Sequence, residues 1–230
     1  MLACLFDVHG NLPALDAVLD DAKGCGAERF ILGGDYSAFG AWPAECVSRL
    51  AELDVAVRIR GNWERWVNDP PVEVLVDEET MHAGEAVRAA LGDALVAQLG
   101  ALPVEVRLGR TLVCHASPGS DMKGFSVAPS PDSDAELLDG VDAPRLIFGH
   151  THKQFRREAA SGAELVNPGS VGMPLDGDRR AAWALMHPSG FVELRRVRYD
   201  VAAAIDGLKS HYGDAPWAHV IVARLESASA

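Results

Sequence analysis

Residues 1–35 read MLACLFDVHGNLPALDAVLDDAKGCGAERFILGGD, and this stretch decides the fold. Leu2 to Phe6 is a short apolar run that stops at Asp7 and His9, the pattern of a buried strand. Leu12, Leu15, Val18, Leu19 and Ala22 then recur at helical spacing, with Pro13 suited to a first turn and Gly24 and Gly26 to the helix end. Arg29 to Leu32 returns as a second strand and stops at Gly33-Gly34-Asp35. Strand, helix and strand in that order form a βαβ unit, which implies a parallel sheet. Open α/β sheets collect their ligands at the carboxyl ends of the strands, where Asp7, His9 and Asp35 now stand.

Working outward, Trp42-Pro43 opens a second helix with the stripe Cys46, Val47, Leu50 and Leu53, and Val55 to Ile59 is a third strand. From Glu64 to Pro103 the chain turns acidic and helical, with Val87, Leu91, Leu95 and Leu99 in register and Pro70-Pro71 near its start. We read residues 64–103 as a helical cap inserted into one domain that spans residues 1–230. Val104 to Leu108 and Thr111 to Cys114 follow, joined by Gly109-Arg110 as a hairpin, so the sheet becomes mixed. Arg145 to Phe148, Gln154 to Glu158, Glu164 to Val166, Ala181 to Met186 and Phe191 to Tyr199 are closely spaced strands, and a short terminal helix begins near Val201. The expected fold class is α/β, a two-sheet sandwich with outer helices.

A chain of 230 residues with 48% hydrophobic content can bury a sizeable core. Its net charge of -12 argues against attraction to long nucleic acid or to an anionic membrane, while short anionic substrates stay open if metal ions reverse the local field. Cys4, Cys25, Cys46 and Cys114 are scattered without a CxxC pair, so a reducing cytoplasm is the simplest setting. The first six residues lack a basic region and are too short for a signal peptide, and no run approaches the ~18 apolar residues of a membrane span. Oligomeric state is left open, including a homo-oligomer.

The chemistry follows from ligand types. After the fragments already named come Gly61-Asn62, His115 and Gly149-His150-Thr-His152, each behind a short apolar segment. Carboxylate oxygen and neutral imidazole suit Mn, Fe, Zn or similar divalent ions, and the absence of clustered thiolates argues against a structural zinc site. Asp7 and His9 are placed to grip one ion; Asp35 is the natural carboxylate to bridge two ions; Asn62, His115 and His150 complete the second. Two ions ~3.5–4 Å apart stabilise attacking and leaving oxygens in phosphoryl displacement, and a hydroxide between them is the expected nucleophile. Asp35, Asn62 and His115 are accordingly expected to be catalytic as well as metal-binding.

The ordered set Asp7-Val-His9-Gly-Asn11, Gly34-Asp35, Gly61-Asn62, Cys114-His115 and Gly149-His150-Thr-His152 resembles the five signatures of the calcineurin-like metallophosphoesterase superfamily. Asn167-Pro-Gly-Ser-Val-Gly172-Met-Pro174 and Asp176-Gly-Asp178 extend the likeness to its small bacterial and archaeal phosphodiesterase branch. The resemblance implies a four-layer α/β/β/α sandwich. It also implies one metal on Asp7, His9, Asp35 and His152, a second on Asp35, Asn62, His115 and His150, and small phosphodiesters or phosphoanhydrides of nucleotide type as substrates.

One position departs from the pattern. Many members of the superfamily carry His after Gly-Asn, and this chain carries Trp63, whose indole donates a hydrogen bond but is no acid near neutrality. Trp63 and Asn11 are also candidate substrate contacts, against the plainer readings that Trp63 and Trp66 pack and that Asn11 caps the following helix. Arg60 reads better as a structurally paired arginine than as a phosphate clamp, and His82 in the cap is a substitute acid. His187, His211 and His219 fall outside the signatures. The alternative function is a non-catalytic metal-binding interaction module of the same fold. A metallo-β-lactamase-like hydrolase, which needs His-x-His-x-Asp-His, fails, because His152 is followed by Lys153-Gln154.

Overall fold

Strand β1 (Leu2–Leu5) sets the layers by its alternation. Ala3 and Leu5 face a core shared with helices, whereas Cys4 and the following Phe6 face a second core shared with another sheet. The computed structural model describes residues 1–70, 78–128 and 131–230. Beside β1 lie β2 (Arg29–Leu32) and then β3 (Val55–Arg58), both parallel, and on its other side β9 (Ala181–Met186) and β10 (Val192–Val197), both antiparallel to their neighbours.

The second sheet runs β4 (Glu105–Leu108), β5 (Thr111–Cys114), β6 (Arg145–Ile147), β8 (Glu164–Asn167) and β7 (Phe155–Glu158). Its centre, β5–β6–β8, is parallel, and β4 joins β5 as the expected hairpin with Leu108 opposite Thr111. Phe6, Ile31 and Ile59 from the first sheet meet Val113, Ile147 and Val166 from the second, all without solvent exposure. Each such side chain contributes about 1.5–3 kcal/mol as an upper estimate.

Helices α1 (Leu12–Gly24) and α2 (Pro43–Ala51) cover the outer face of the first sheet with Leu15, Val18, Cys46, Val47 and Leu50. Asn11 caps α1 by accepting the Ala14 N–H at 3.2 Å, and Pro13 occupies its first turn. Among the described residues, only α6 (Pro131–Leu137) lies over the second sheet, and the sequence reading did not anticipate it. Its acidic residues hide the helix from a hydrophobicity pattern; Asp134 is buried because Arg157 grips it bidentately at 2.5 and 2.9 Å. The result is the α/β/β/α order, with a thin fourth layer.

Between β3 and β4 the described helices are α3 (Asn62–Asn68), α4 (Glu78–Leu91) and α5 (Asp93–Gly100), while residues 71–77, including Pro71, lie outside the described residues. The stripe Val87, Leu91, Leu95 and Leu99 is not one helix: Gly92 at φ 75° breaks it, a conformation that costs glycine little. Val87 joins one core and Leu99 another. At the carboxyl end two helices stand where one was expected, α7 (Val201–Tyr212) and α8 (Pro216–Ser227), because Gly213 ends the first and Pro216 starts the second. Leu208, Trp217, Ile221 and Leu225 from this pair share a core with Trp63, Val67, Ala83 and Val87. Among the described residues no helix is long and apolar enough to cross a membrane. All four cysteines are free thiols.

Candidate metal centre

Parallel pairing places the carboxyl ends of β1, β2, β3, β5 and β6 along one rim of the sandwich. Asp7 and His9 leave β1, Asp35 follows β2, Asn62 opens α3 after β3, His115 follows β5, and His150 and His152 follow β6. Each chain must turn sharply to aim a side chain inward. Among the described residues, Asp7, His9, Asp35, His150 and His152 all hold left-handed backbone, with φ of 55, 49, 56, 67 and 57°. Strain of this kind in non-glycine residues gathers at functional sites.

The seven expected ligands come together. In two groups, Asp7–His9–His152 and Asp7–Asp35–His115, one donor atom from each residue lies within 4.8 Å of the others. Asp7 Oδ1 is 4.0 Å from His9 Nε2, 3.9 Å from His115 Nε2 and 3.7 Å from His152 Nε2. Asp35 Oδ2 is 3.8 Å from His9 Nε2 and 3.5 Å from His115 Nε2, so both carboxylates reach a histidine of each group. Asn62 Oδ1 lies 3.1 Å from both His115 Nε2 and His150 Nδ1. His115 and His152 donate Nδ1–H to the carbonyls of Gly33 and Met173, at 2.8 and 2.7 Å, which fixes the ring planes with Nε2 inward.

Electrostatics sort these groups. Burial pushes the Asp7 carboxyl up to about 8, with the Asp35 charge adding to it against the opposing His115. Burial also opposes charge on His115, but Asp35 and Asp7 overcome it and raise that ring to about 10. In turn, burial would raise Asp35, yet the His115 charge and hydrogen bond hold it below the ordinary carboxylate range. Burial lowers His9 to about 4, and burial with a neighbouring imidazole lowers His150 and His152. Three imidazoles are therefore neutral, with lone pairs available.

These residues fit divalent cations. Asp7 Oδ1 is fully buried and accepts no hydrogen bond, while its other oxygen accepts the His150 N–H at 3.0 Å. An orphaned buried carboxylate oxygen facing three imidazoles is a costly arrangement without a cation. Hard oxygen with borderline nitrogen, and no thiolate, is the donor set of Mn, Fe or Zn. Gly61 lies so close that a Cβ there would come 2.1 Å from Asp35 Oδ1 and 2.8 Å from His115 Cε1. Gly34 lets two loops abut, since its Cβ would come 2.3 Å from the Gly61 nitrogen.

Several residues support the centre, and Glu64 among them went unread in the sequence. Glu64, taken there only as the start of the cap, is buried, and its carboxylate accepts the N–H groups of Asp35, Tyr36 and Gly61, each at 2.8 Å. It ties the β2 loop to the β3 loop; the available signal was its place three residues after Gly61, where a helix's third residue reaches back. Ser170 donates to the Asp7 carbonyl at 2.7 Å, and Asn167 donates to the Gly149 carbonyl at 3.0 Å. Asp121 joins Arg60 and Arg65 at 2.8 and 2.7 Å, so Arg60 is the paired arginine expected.

Asn11 spends its amide on α1 and on the Gly172 carbonyl, at 2.8 Å. Trp63 is buried and donates its backbone N–H to Asp35 Oδ1 at 3.0 Å, with its ring edge-on to Phe39 and Trp66. His82 is exposed on α4. His187 sits beside Glu193, His211 bonds the Gly207 carbonyl and His219 lies near Asp214, all outside the rim.

Comparison with known proteins agrees with this geometry. Residues 1–189 match the family described as the calcineurin-like phosphoesterase superfamily domain. An uncharacterized protein of Methanocaldococcus jannaschii is 27% identical over 90% of either chain. A metallophosphoesterase from Sphaerobacter thermophilus superposes with a TM-score of 0.80 at 25% identity, covering 99% of this chain and 98% of that one. A hypothetical protein from Pyrococcus horikoshii reaches 0.83 at 20% identity over the full length of both, which speaks to the fold.

Proposed function

The chain belongs to the calcineurin-like phosphoesterase superfamily and is a metal-dependent phosphoric ester hydrolase, and from that premise we propose that it cleaves small phosphodiesters or phosphoanhydrides of nucleotide type at a two-ion centre. In this reading Asp7, His9, Asp35 and His152 hold one ion, and Asp35, Asn62, His115 and His150 hold the other. The observation that carries it is Asp7 Oδ1, buried without a hydrogen bond and 3.7–4.0 Å from three imidazoles. Bound there, divalent ions such as Mn²⁺ would supply Lewis acidity, acidifying water and offsetting charge on phosphoryl oxygens.

The chain's own groups set position and protonation. Asp35 is fixed from outside by the Trp63 N–H on its carboxylate and by Glu64 on its backbone. Asn62 contributes a neutral oxygen, so the centre gains a ligand without another negative charge to repel phosphate. At position 63 no side chain can protonate a departing oxygen near neutral pH, and general acid help is worth ~10²- to 10⁴-fold. Substrates whose leaving oxygen is already a weak base are therefore favoured. The net charge of -12 supports a small substrate over long nucleic acid. Release of nitrophenol from an aryl phosphodiester, with Mn²⁺ added and then chelated, tests the proposal; signal that is indifferent to metal, or equal in Asp35→Asn, refutes it.

A further inference from the structure

At the end of the sandwich away from the metal rim, the two sheets part around a cleft of about 660 Å³. Strand alternation explains its lining. Ile31, Val113 and Ile147 point into the core between the sheets, so Arg29, Thr111 and Arg145, each two residues earlier on β2, β5 and β6, point the same way, and all three line the cleft. Polar groups thus stand where the pattern calls for apolar ones. Leu2 and Met186, packed on that same core, give the cleft an apolar wall, and Arg110 joins the lining from the β4–β5 turn. Leu2, Arg29, Thr111 and Arg145 begin the strands that end beside Asp7, Asp35, His115 and His150, so at ~3.3 Å per residue the cleft lies roughly 15 Å from the metal ligands. It is a separate site.

We propose that this cleft binds a small organic phosphate monoester, its headgroup held by Arg110, Arg145 and the Thr111 hydroxyl and its apolar body laid on Leu2 and Met186. Thr111 carries the argument furthest. It is 4% exposed and, among the described residues, its hydroxyl has no hydrogen-bond partner, an expensive state that an acceptor in the cleft relieves. Arg110 likewise has no partner among the described residues. Glu164 accepts from Arg145 Nε at 2.5 Å, which positions that guanidinium and leaves its two terminal amino groups unbonded, and Glu164 also shares its charge with Arg156. Arg29 adds a third guanidinium, tied only to the exposed Asp54 at 3.4 Å. Glu28, the acid on the lining, faces the Met1 amino group at 3.7 Å. Uncommitted cations gathered at one end of a chain with net charge -12 select an anion. Guanidinium groups approaching from a turn and two strands suit the several oxygens of phosphate better than the two of a carboxylate. The volume lies within the ~300–1,000 Å³ usual for small-molecule sites, far more than a bare phosphate fills.

Phenyl phosphate titrated calorimetrically into the metal-free full chain, with chelator present so that nothing is hydrolysed, should bind saturably at one site. Inorganic phosphate should bind at least about tenfold more weakly, equivalent to losing roughly 60 Å² of apolar contact. Arg110→Gln should weaken phenyl phosphate binding at least about tenfold through the loss of a charge-assisted pair. Thr111→Val keeps the side chain's shape and removes only the hydroxyl, and should weaken it at least about threefold. Arg107 serves as the control: Val106 and Leu108 face the core between the sheets, so Arg107 lies on the other face of β4, and Arg107→Gln should change affinity by less than about twofold. Absence of saturable binding, affinity in Arg110→Gln or Thr111→Val equal to that in Arg107→Gln, or inorganic phosphate binding as tightly as phenyl phosphate overturns the assignment. The titration needs neither turnover nor bound metal, so its outcome is independent of the metal-centre reading.

Discussion

Removing the Glu64 carboxylate should cost both stability and metal. Three buried N–H groups, those of Asp35, Tyr36 and Gly61, converge on it at 2.8 Å. In Glu64→Ala each loses its acceptor, and an unsatisfied buried donor costs about 1–3 kcal/mol. The sum is offset by release of a carboxyl whose own pKa is raised by burial, and by water entering the vacated space. A net loss of about 3–5 kcal/mol is expected, a large share of the ~5–15 kcal/mol that holds a domain together. Glu64→Gln keeps one accepting oxygen and should lose about 1–3 kcal/mol. Urea unfolding of the metal-free chain at fixed pH measures this directly. Since the clamp fixes Asp35, Mn²⁺ affinity by calorimetry should drop ~10- to 100-fold in Glu64→Gln, as for partners that orient ligands. Unfolding within 1 kcal/mol of the parent in Glu64→Ala, or full metal affinity in Glu64→Gln, would refute the clamp.

Metal loading should release protons. His115 is raised to about 10 and Asp7 to about 8, so both hold protons in the metal-free protein at neutral pH that a cation must displace. Affinity should weaken as pH falls and level off above pH 10, with roughly one to two protons released near pH 7 in calorimetry across buffers of different ionisation enthalpy; release of none would contradict the assigned groups. Gly61→Ala should fold yet bind Mn²⁺ at least ~10-fold more weakly, because its methyl would crowd Asp35 Oδ1 and His115; normal binding by elemental analysis would contradict that geometry. Trp63→His should raise kcat for alkyl diesters ~10²-fold or more while aryl diesters gain little. Equal gains for both would sink the leaving-group account.

What was legible in the sequence was whatever depends on the chain's immediate neighbours. Asp7, Asp35, His115 and His150 are recognisable because each ends a short apolar run, and a strand's end is a local fact. Glu64 was not, since its partners lie across a loop junction that only the folded sheets create. The same limit hid α6, where Asp134 is buried by an arginine 23 residues away. Gly92 shows the converse: a perfect apolar period from Val87 to Leu99 was read as continuous, yet one left-handed residue sends its halves into different cores. Asn11 was legible in both roles, and the contacts show its amide used on the helix and the neighbouring loop.

The left-handed corners at Asp7, His9, Asp35, His150 and His152 have a consequence for anyone redesigning this protein. Each asks an L-residue to sit where the backbone prefers glycine, at roughly 1–2 kcal/mol apiece, so heat tolerance and chemistry compete for the same five positions. A library selected only for survival at high temperature would drift toward glycine there and yield a hardier, inert scaffold.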